Sequence, residues 1–475
     1  LTGYYSGAAT ALVVNDRGFA LPTPAGGATN MFVAKLTVTT TGYYPVWVTY
    51  GASATASSVC TGLAIADDSE GCYITGNCGP TAAAFTFYNA DTTNTTNATL
   101  AATVGTRDGF LVKFNTIGTP QWTARMAVAS STVNSTGIAC SPDASVVVVG
   151  SSTGATALNV YSSGVSTVAS LTSSTTLAGQ ANQTYTSVAA TGGTGTGARF
   201  NVTRNGSGTV LLAAITIASA GTGYTNGDSL TIAGATVGGV SPTDNIVITV
   251  SLTSAIGGST GSQDAFVAKY TTAGAVTWIS RIGAGGQGPV SVAVALDLSV
   301  NVTGGILNGT RTLYDAPGTT GTVATVSPAK SCAYVAKWNS AGTGQWIQLI
   351  TTTSNSPNYG LGIAVDAFSN VFATGLMFGT TTFGGTKQFV VNGEDGYVAK
   401  YTPTGALAWV SQMDELASTN QTFCGGVWYD RRAGVLWTTG SFNSVTNFYD
   451  NNSTSSGLAL GARGTYDTFI VKYSA

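Results

Sequence analysis

Histidine is absent from this 475-residue chain, which removes the Ser-His-Asp triad, the Cys-His pair and imidazole metal ligation. The remaining reactive groups are 17 Asp, three Glu (Glu70, Glu394, Glu415), eight Lys, ten Arg and six Cys. Paired carboxylates could still hydrolyse a glycoside, provided two of them sit in unlike environments. Asp67, Asp297, Asp366 and Asp430 each follow a similar apolar run. Recurrence at one kind of turn is what side-chain-to-backbone turn bonding produces, and it is not what an acid/base pair produces. Lysine has the same property. Lys35, Lys113, Lys269, Lys337, Lys400 and Lys472 occupy one position of a recurring phrase. A catalytic lysine is singular; a repeated one is expected to snorkel or pair with an acid. Asp67-Asp68-Ser69-Glu70 is the one dense acidic group and reads as an exposed turn. The glycine-rich stretches 192–197 and 221–227 lead into neither Lys-Ser/Thr nor a helical pattern, so neither is a phosphate loop. No metal and no cofactor is expected.

Three further residue classes bear on function. If Asp67–Glu70 turns a hairpin, Cys60 lies near Cys78 at its open end, a candidate disulfide. The remaining thiols, Cys72, Cys140, Cys332 and Cys424, lie in or beside strands, and with no Cys-x-x-Cys a zinc or redox site is not expected. Eleven Asn-x-Ser/Thr sequons are glycosylation candidates: Asn94, Asn97, Asn134, Asn182, Asn201, Asn205, Asn301, Asn308, Asn420, Asn451 and Asn452. Five of the eight Trp stand at one repeated place, whereas Trp428 and Trp437 fall outside it and are candidates for a binding surface.

What must position these residues is a repeat. The phrase Asn30-Met-Phe-Val-Ala-Lys-Leu36 recurs as Asp108–Phe114, Asp264–Tyr270, Cys332–Trp338, Asp395–Tyr401 and Asp467–Tyr473. A short Gly turn then leads to Trp47, Trp122, Trp278, Trp346 or Trp409. Alternating runs follow, such as Gly360-Leu-Gly-Ile-Ala-Val-Asp366 with Asn370-Val-Phe-Ala-Thr-Gly375. These segments are short, β-branched or aromatic, and bounded by turn residues, so they read as strands joined by hairpins; no helical period is sustained. Four strands per unit, at about 60–70 residues, indicate an all-β, five- or six-bladed β-propeller of four-stranded antiparallel blades. Between the first part (residues 1–164) and the second (264–475), residues 165–263 break the pattern and read as a small inserted Gly/Thr-rich β module.

The repeated wording resembles the SBBP-type β-propeller repeat of microbial surface and secreted proteins, over residues 30–150 and 264–475. That resemblance implies the Gly-Ile-Ala-Val-Asp strand innermost, the Thr-Gly strand next, then the lysine strand, with the Trp strand outermost. It implies an extracellular or envelope setting and no single activity. The inserted stretch resembles modules of virus fibre and tail-like proteins.

Charged residues make up only 8% of the chain and net charge is −2, so nucleic acid is not an expected partner. No apolar run approaches a membrane-spanning length. The Leu1 start fits a processed product, any signal peptide being already removed. Leu1-Thr2-Gly3 resembles the end of a second strand, and the last unit stops before a Trp strand, so an end strand of one subunit is expected to complete a blade of the next. A fragment of a longer repeat protein fits the same ends. The expectation is a non-enzymatic structural subunit of an extracellular filament, appendage or virion surface, with copies of itself as partners. The alternatives are a glycan-binding adhesin and a secreted propeller glycosidase.

Overall fold

The computed structural model describes residues 1–6, 11–14, 17–20, 29–39, 42–53, 59–68, 70–79, 84–90, 98–100, 105–163, 167–222, 224, 227–251, 253–259, 262–283, 288–316, 322–415, 421–450 and 455–474. Among them the chain is all-β, with antiparallel sheets and two 3-10 turns as its only helical pieces.

Six sequence repeats give six structural units. Units two to five each contain four strands in antiparallel order: Val59–Asp68, Gly71–Gly79, Asp108–Asn115 and Pro120–Val128 in unit two; Val133–Cys140, Val146–Ser152, Asp264–Tyr270 and Val276–Gly283 in unit three. Unit four has Pro289–Val294, Val300–Ile306, Cys332–Trp338 and Gly344–Thr352; unit five has Tyr359–Val365, Val371–Phe383, Lys387–Tyr401 and Leu407–Glu415. Unit six contributes a first, second and third strand, Thr422–Asp430, Val435–Phe442 and Asp467–Ser474. Unit one contributes a second, third and fourth, Thr2–Ser6, Thr29–Thr39 and Gly42–Ser53.

The units are equivalent in register. The glycine closing each second strand faces the aromatic of the lysine phrase: Gly3–Phe32, Gly76–Phe110, Gly150–Phe266, Gly304–Tyr334, Gly375–Tyr397 and Gly440–Phe469. A Cβ on Gly440 would lie 2.6 Å from the Phe469 ring, so the facing aromatic leaves room for glycine there. Each repeated lysine of the first five units faces its tryptophan (Lys35–Trp47, Lys113–Trp122, Lys269–Trp278, Lys337–Trp346, Lys400–Trp409), with a bulge immediately after.

Sheets stack on one another, which explains why the third strands Asp264–Tyr270 and Cys332–Trp338 are buried along their whole length. A strand covered on both faces has no polar face to show, hence the near-continuous apolar wording. Five separate cores lie between successive units, from the Val33–Trp47–Phe110 cluster to the Phe372–Leu436–Phe469 cluster.

One feature departs from the four-stranded expectation. The connection between second and third strands of units two to six sends a hairpin back to the fourth strand of the preceding unit. Phe85–Phe87 with Ala98–Leu100 joins unit one, Leu158–Tyr161 with Thr253–Ile256 joins unit two, and Arg311–Tyr314 with Thr322–Val326 joins unit three. The outer ends of Val371–Phe383 and Lys387–Tyr401 join unit four, and Val445–Tyr449 with Ser455–Gly461 joins unit five. The Trp strand is therefore not outermost: two donated strands lie beyond it. The outer edge of each fourth strand is thereby paired by the neighbour, and the short outer strand of the donated hairpin becomes the sheet edge.

The insertion grows from the tip of one donated hairpin, between Tyr161 and Thr253. Its six strands run from Thr167 to Ser251, and its core, including Phe200, Leu230 and Ile248, draws on its own residues alone. The stretch after Ser251 returns to the repeat, so the described module is shorter at its far end than residue 263.

Candidate functional site

The repeated lysines and the turn acids meet. The Lys269 ammonium lies 3.0 Å from Asp143, Lys113 3.4 Å from Glu70, Lys400 3.6 Å from Asp366 and Lys337 3.7 Å from Asp297. In each case the acid turns the first hairpin of the lysine's own unit. Lys35 is exposed and donates to the Thr116 carbonyl, and Lys472 is exposed beside the Trp437 ring. The acids also cap their own turns. Asp366 accepts from the backbone N–H of Phe368 and Asn370, Asp297 from that of Ser299, and Asp430 from those of Arg432 and Ala433. The Asp67 side chain lies outside the described residues.

This bonding has a pH consequence. Partial burial pushes the Asp143 carboxyl up, but the nearby Ser141 hydroxyl and the hydrogen bonds from Ser145 and Lys269 outweigh it and hold the group well below the usual carboxylate range. Asp297 is depressed too: burial opposes, while Ser299 and the Lys337 charge prevail. A carboxylate whose folded pKa is lowered adds stability above its unfolded value of about 3.9, and that contribution is lost as pH falls through the folded value. Asp143→Asn is accordingly expected to lower the melting temperature at pH 7, with the gap to wild type closing below about pH 4. A gap constant from pH 7 to pH 2 would mean that the Asp143–Lys269 pair adds nothing.

The tryptophans join units. Trp47 donates its indole N–H to the Thr116 carbonyl of the next unit, Trp122 to Thr272, Trp278 to Ser340 and Trp346 to Pro403, at 2.9–3.0 Å. Each acceptor lies in the turn before the next Trp strand. In that turn Gly342 has φ +84°, and a Cβ there would sit 2.8 Å from the Trp278 ring. The Gly-x-x-x-Trp spacing thus combines a turn glycine, on which the previous unit's indole lies, with this unit's own indole.

A second arrangement was not drawn from the sequence. Asp264 and Arg281 form a buried ion pair at 3.3 Å, and Asp108 approaches Arg125 at 3.9 Å. Gln412 donates to Asp395 at 2.6 Å. The donated hairpins cover the guanidinium groups: Tyr314 lies 4.8 Å from Arg281 and Tyr161 4.4 Å from Arg125. The available signal is the polar residue three places after Trp122, Trp278 and Trp409.

The backbone register sets Cys60 directly opposite Cys78. Cys78 is a buried free thiol in this structure, pushed up to about 12 by desolvation first and by the Asp108 charge second. Burial likewise pushes Cys332 and Cys424 up to about 12. Iodoacetamide at pH 8 is therefore expected to leave Cys332 and Cys424 unmodified in the native protein and to label both in urea, as read by peptide mass mapping. Rapid native labelling of either would contradict their burial.

Of the sequons, Asn182, Asn205 and Asn308 are exposed, while Asn134 and Asn201 are half-buried with side-chain oxygens that accept hydrogen bonds from Arg107 and Ser187. Asn301 is corrected as a glycosylation candidate: its side chain is fully buried, facing Lys337 on the neighbouring strand, and the fold has no room for a sugar there. Asn94, Asn97, Asn420, Asn451 and Asn452 lie outside the described residues.

Trp428 and Trp437 do come together. They face each other across the first hairpin of unit six, 60% and 36% exposed, and Lys472 completes the row on the third strand. Nearby, the first strands of units three to six line one cavity of about 520 Å³. Its walls are mainly aliphatic, including Val292, Val294, Ile363 and Val365, and its one carboxylate among the described residues is Asp430. No protein-family model and no curated protein matches the chain. No helix among the described residues is long and apolar enough to cross a membrane.

Proposed function

We propose that the protein is a non-enzymatic structural subunit of an extracellular filament, appendage or virion surface, built as a β-propeller of SBBP-type repeats and assembling with copies of itself. The observation that carries this is the use of its ionic side chains. Four repeated lysines pair with the turn acids of their own units, and Asp264 pairs with Arg281, so these charges hold strands and turns. Convergence of four first strands on one cavity supports the propeller reading, the repeat supplying the blades. Exposed sequons support an extracellular setting. Negative-stain imaging and mass photometry of the purified chain test the assignment: regular multimers are expected, and a uniform monomer at all concentrations would refute it.

The exposed Trp428–Trp437 row favours a second reading, a glycan-binding adhesin, since adjacent indoles are suited to stacking on sugar rings. Glycan-array binding by the wild type, lost in Trp428→Ala, would favour it.

A further inference from the structure

Resting on that reading, we infer that the open face of unit six and the open face of unit one are two halves of a single head-to-tail interface, and that a second copy of this chain occupies it. The interface already exists five times inside the molecule. In every internal seam, the residue two places before the repeated lysine packs against the following unit: Val33, Leu111, Val267, Val335 and Val398 are at most 2% exposed. Its equivalent in unit six, Ile470, is 74% exposed. Phe372 of unit five is fully buried against unit six, whereas its equivalent in unit six is the partly exposed Trp437. The third strand of unit six has one neighbour, Val435–Phe442, among the described residues.

Unit one presents the opposite half. In units two to six the aromatic of the lysine phrase and the residue after the lysine face the preceding unit and are buried, as in Tyr397 and Tyr401. The equivalents in unit one, Phe32 and Leu36, are only half-buried. The hairpins agree. Every later unit donates a hairpin to its predecessor, and in units two to four that hairpin also lies against its own unit's fourth strand. Unit one has such a hairpin, Ala11–Val14 paired with Arg17–Ala20. It lies against Gly42–Ser53 and pairs with no further strand among the described residues. Unit one is thus built to follow another unit, and unit six to precede one.

The two faces also differ in a way that suits each other. The first-strand position facing the repeated lysine's row is Ala66, Ala139, Ala293 and Ala364 in units two to five, but Trp428 in unit six. Among the described residues unit one has no strand in the first position, and at the proposed interface the larger Trp428 side chain would occupy the space that strand takes at the other seams.

Complementation tests this, because a heterologous interface has two distinguishable halves. Ile470→Glu alters only the unit-six face, and at so exposed a position the chain itself tolerates the charge; Leu36→Glu alters the unit-one face. Wild type is expected to multimerise, each variant alone to run at the mass of one chain, and an equimolar mixture to give dimers that grow no further. Multimers of unchanged size from Ile470→Glu would overturn this interface while leaving the self-assembling role standing. A wild-type protein that stays monomeric would overturn both.

Discussion

Replacing Trp278 with Ala is expected to cost about 3–5 kcal/mol, the usual range for truncating a large buried aromatic. Trp278 is buried between units three and four, lies on Gly342 and donates to the Ser340 carbonyl at 3.0 Å. The change removes packing from both units and leaves the Ser340 carbonyl without its indole donor. Trp409 occupies the same repeat position, but it is half-buried and stacks on Tyr473 at 6.1 Å. Trp409→Ala should therefore cost markedly less, about 1–2 kcal/mol. Gly342→Ala approaches the same seam from its other side. It forces a Cβ to 2.8 Å from the indole at φ +84°. Left-handed backbone and overpacking together amount to about 2–5 kcal/mol. Urea unfolding monitored by tryptophan fluorescence and by circular dichroism measures all three variants. Equal losses for Trp278→Ala and Trp409→Ala would mean that the indole serves its own sheet and not the seam.

Strand content and the equivalence of the six lysine phrases were legible because a strand buried on both faces leaves an unbroken apolar run with fixed punctuation. The lysine was legible as structural from repetition, and Leu1-Thr2-Gly3 as the end of a second strand, since Gly3 does face Phe32. The partners of the lysines were harder to read. Asp143, Asp297 and Asp366 do not stand at one fixed distance from the apolar run, and in unit two Glu70 takes the role, because several points on a short turn bring a carboxylate within reach of the same ammonium. The donated hairpins left no signal of their own. Segments such as Phe85–Phe87 and Arg311–Tyr314 are three or four residues long, and nothing local states that the fourth strand they join belongs to another unit. Asn301 looked like any other sequon because the motif carries no information on burial.

Asp264→Ala is expected to be the more severe of the ionic changes, at about 3–5 kcal/mol, because it leaves the Arg281 charge buried without its counter-ion. The carbonyls of Gly257 and Gly258 still accept from the guanidinium at 3.0 and 2.8 Å, which places the loss toward the lower end. Unit four contains the chain's own alternative. At the positions of Asp264 and Arg281 it carries Cys332, in the core between units three and four, and Leu349, partly buried against that core. One repeat therefore fills with apolar side chains the site that another fills with an ion pair. Exchange of a buried pair for well-packed apolar groups is often neutral or stabilising, whereas removal of one partner is costly. Asp264→Cys combined with Arg281→Leu should then recover stability to within about 1 kcal/mol of wild type, although either change alone is damaging. A double-mutant cycle by urea unfolding measures the coupling. Additive losses would mean that the covering hairpin with Tyr314, 4.8 Å from the guanidinium, needs the arginine itself and not merely a filled site.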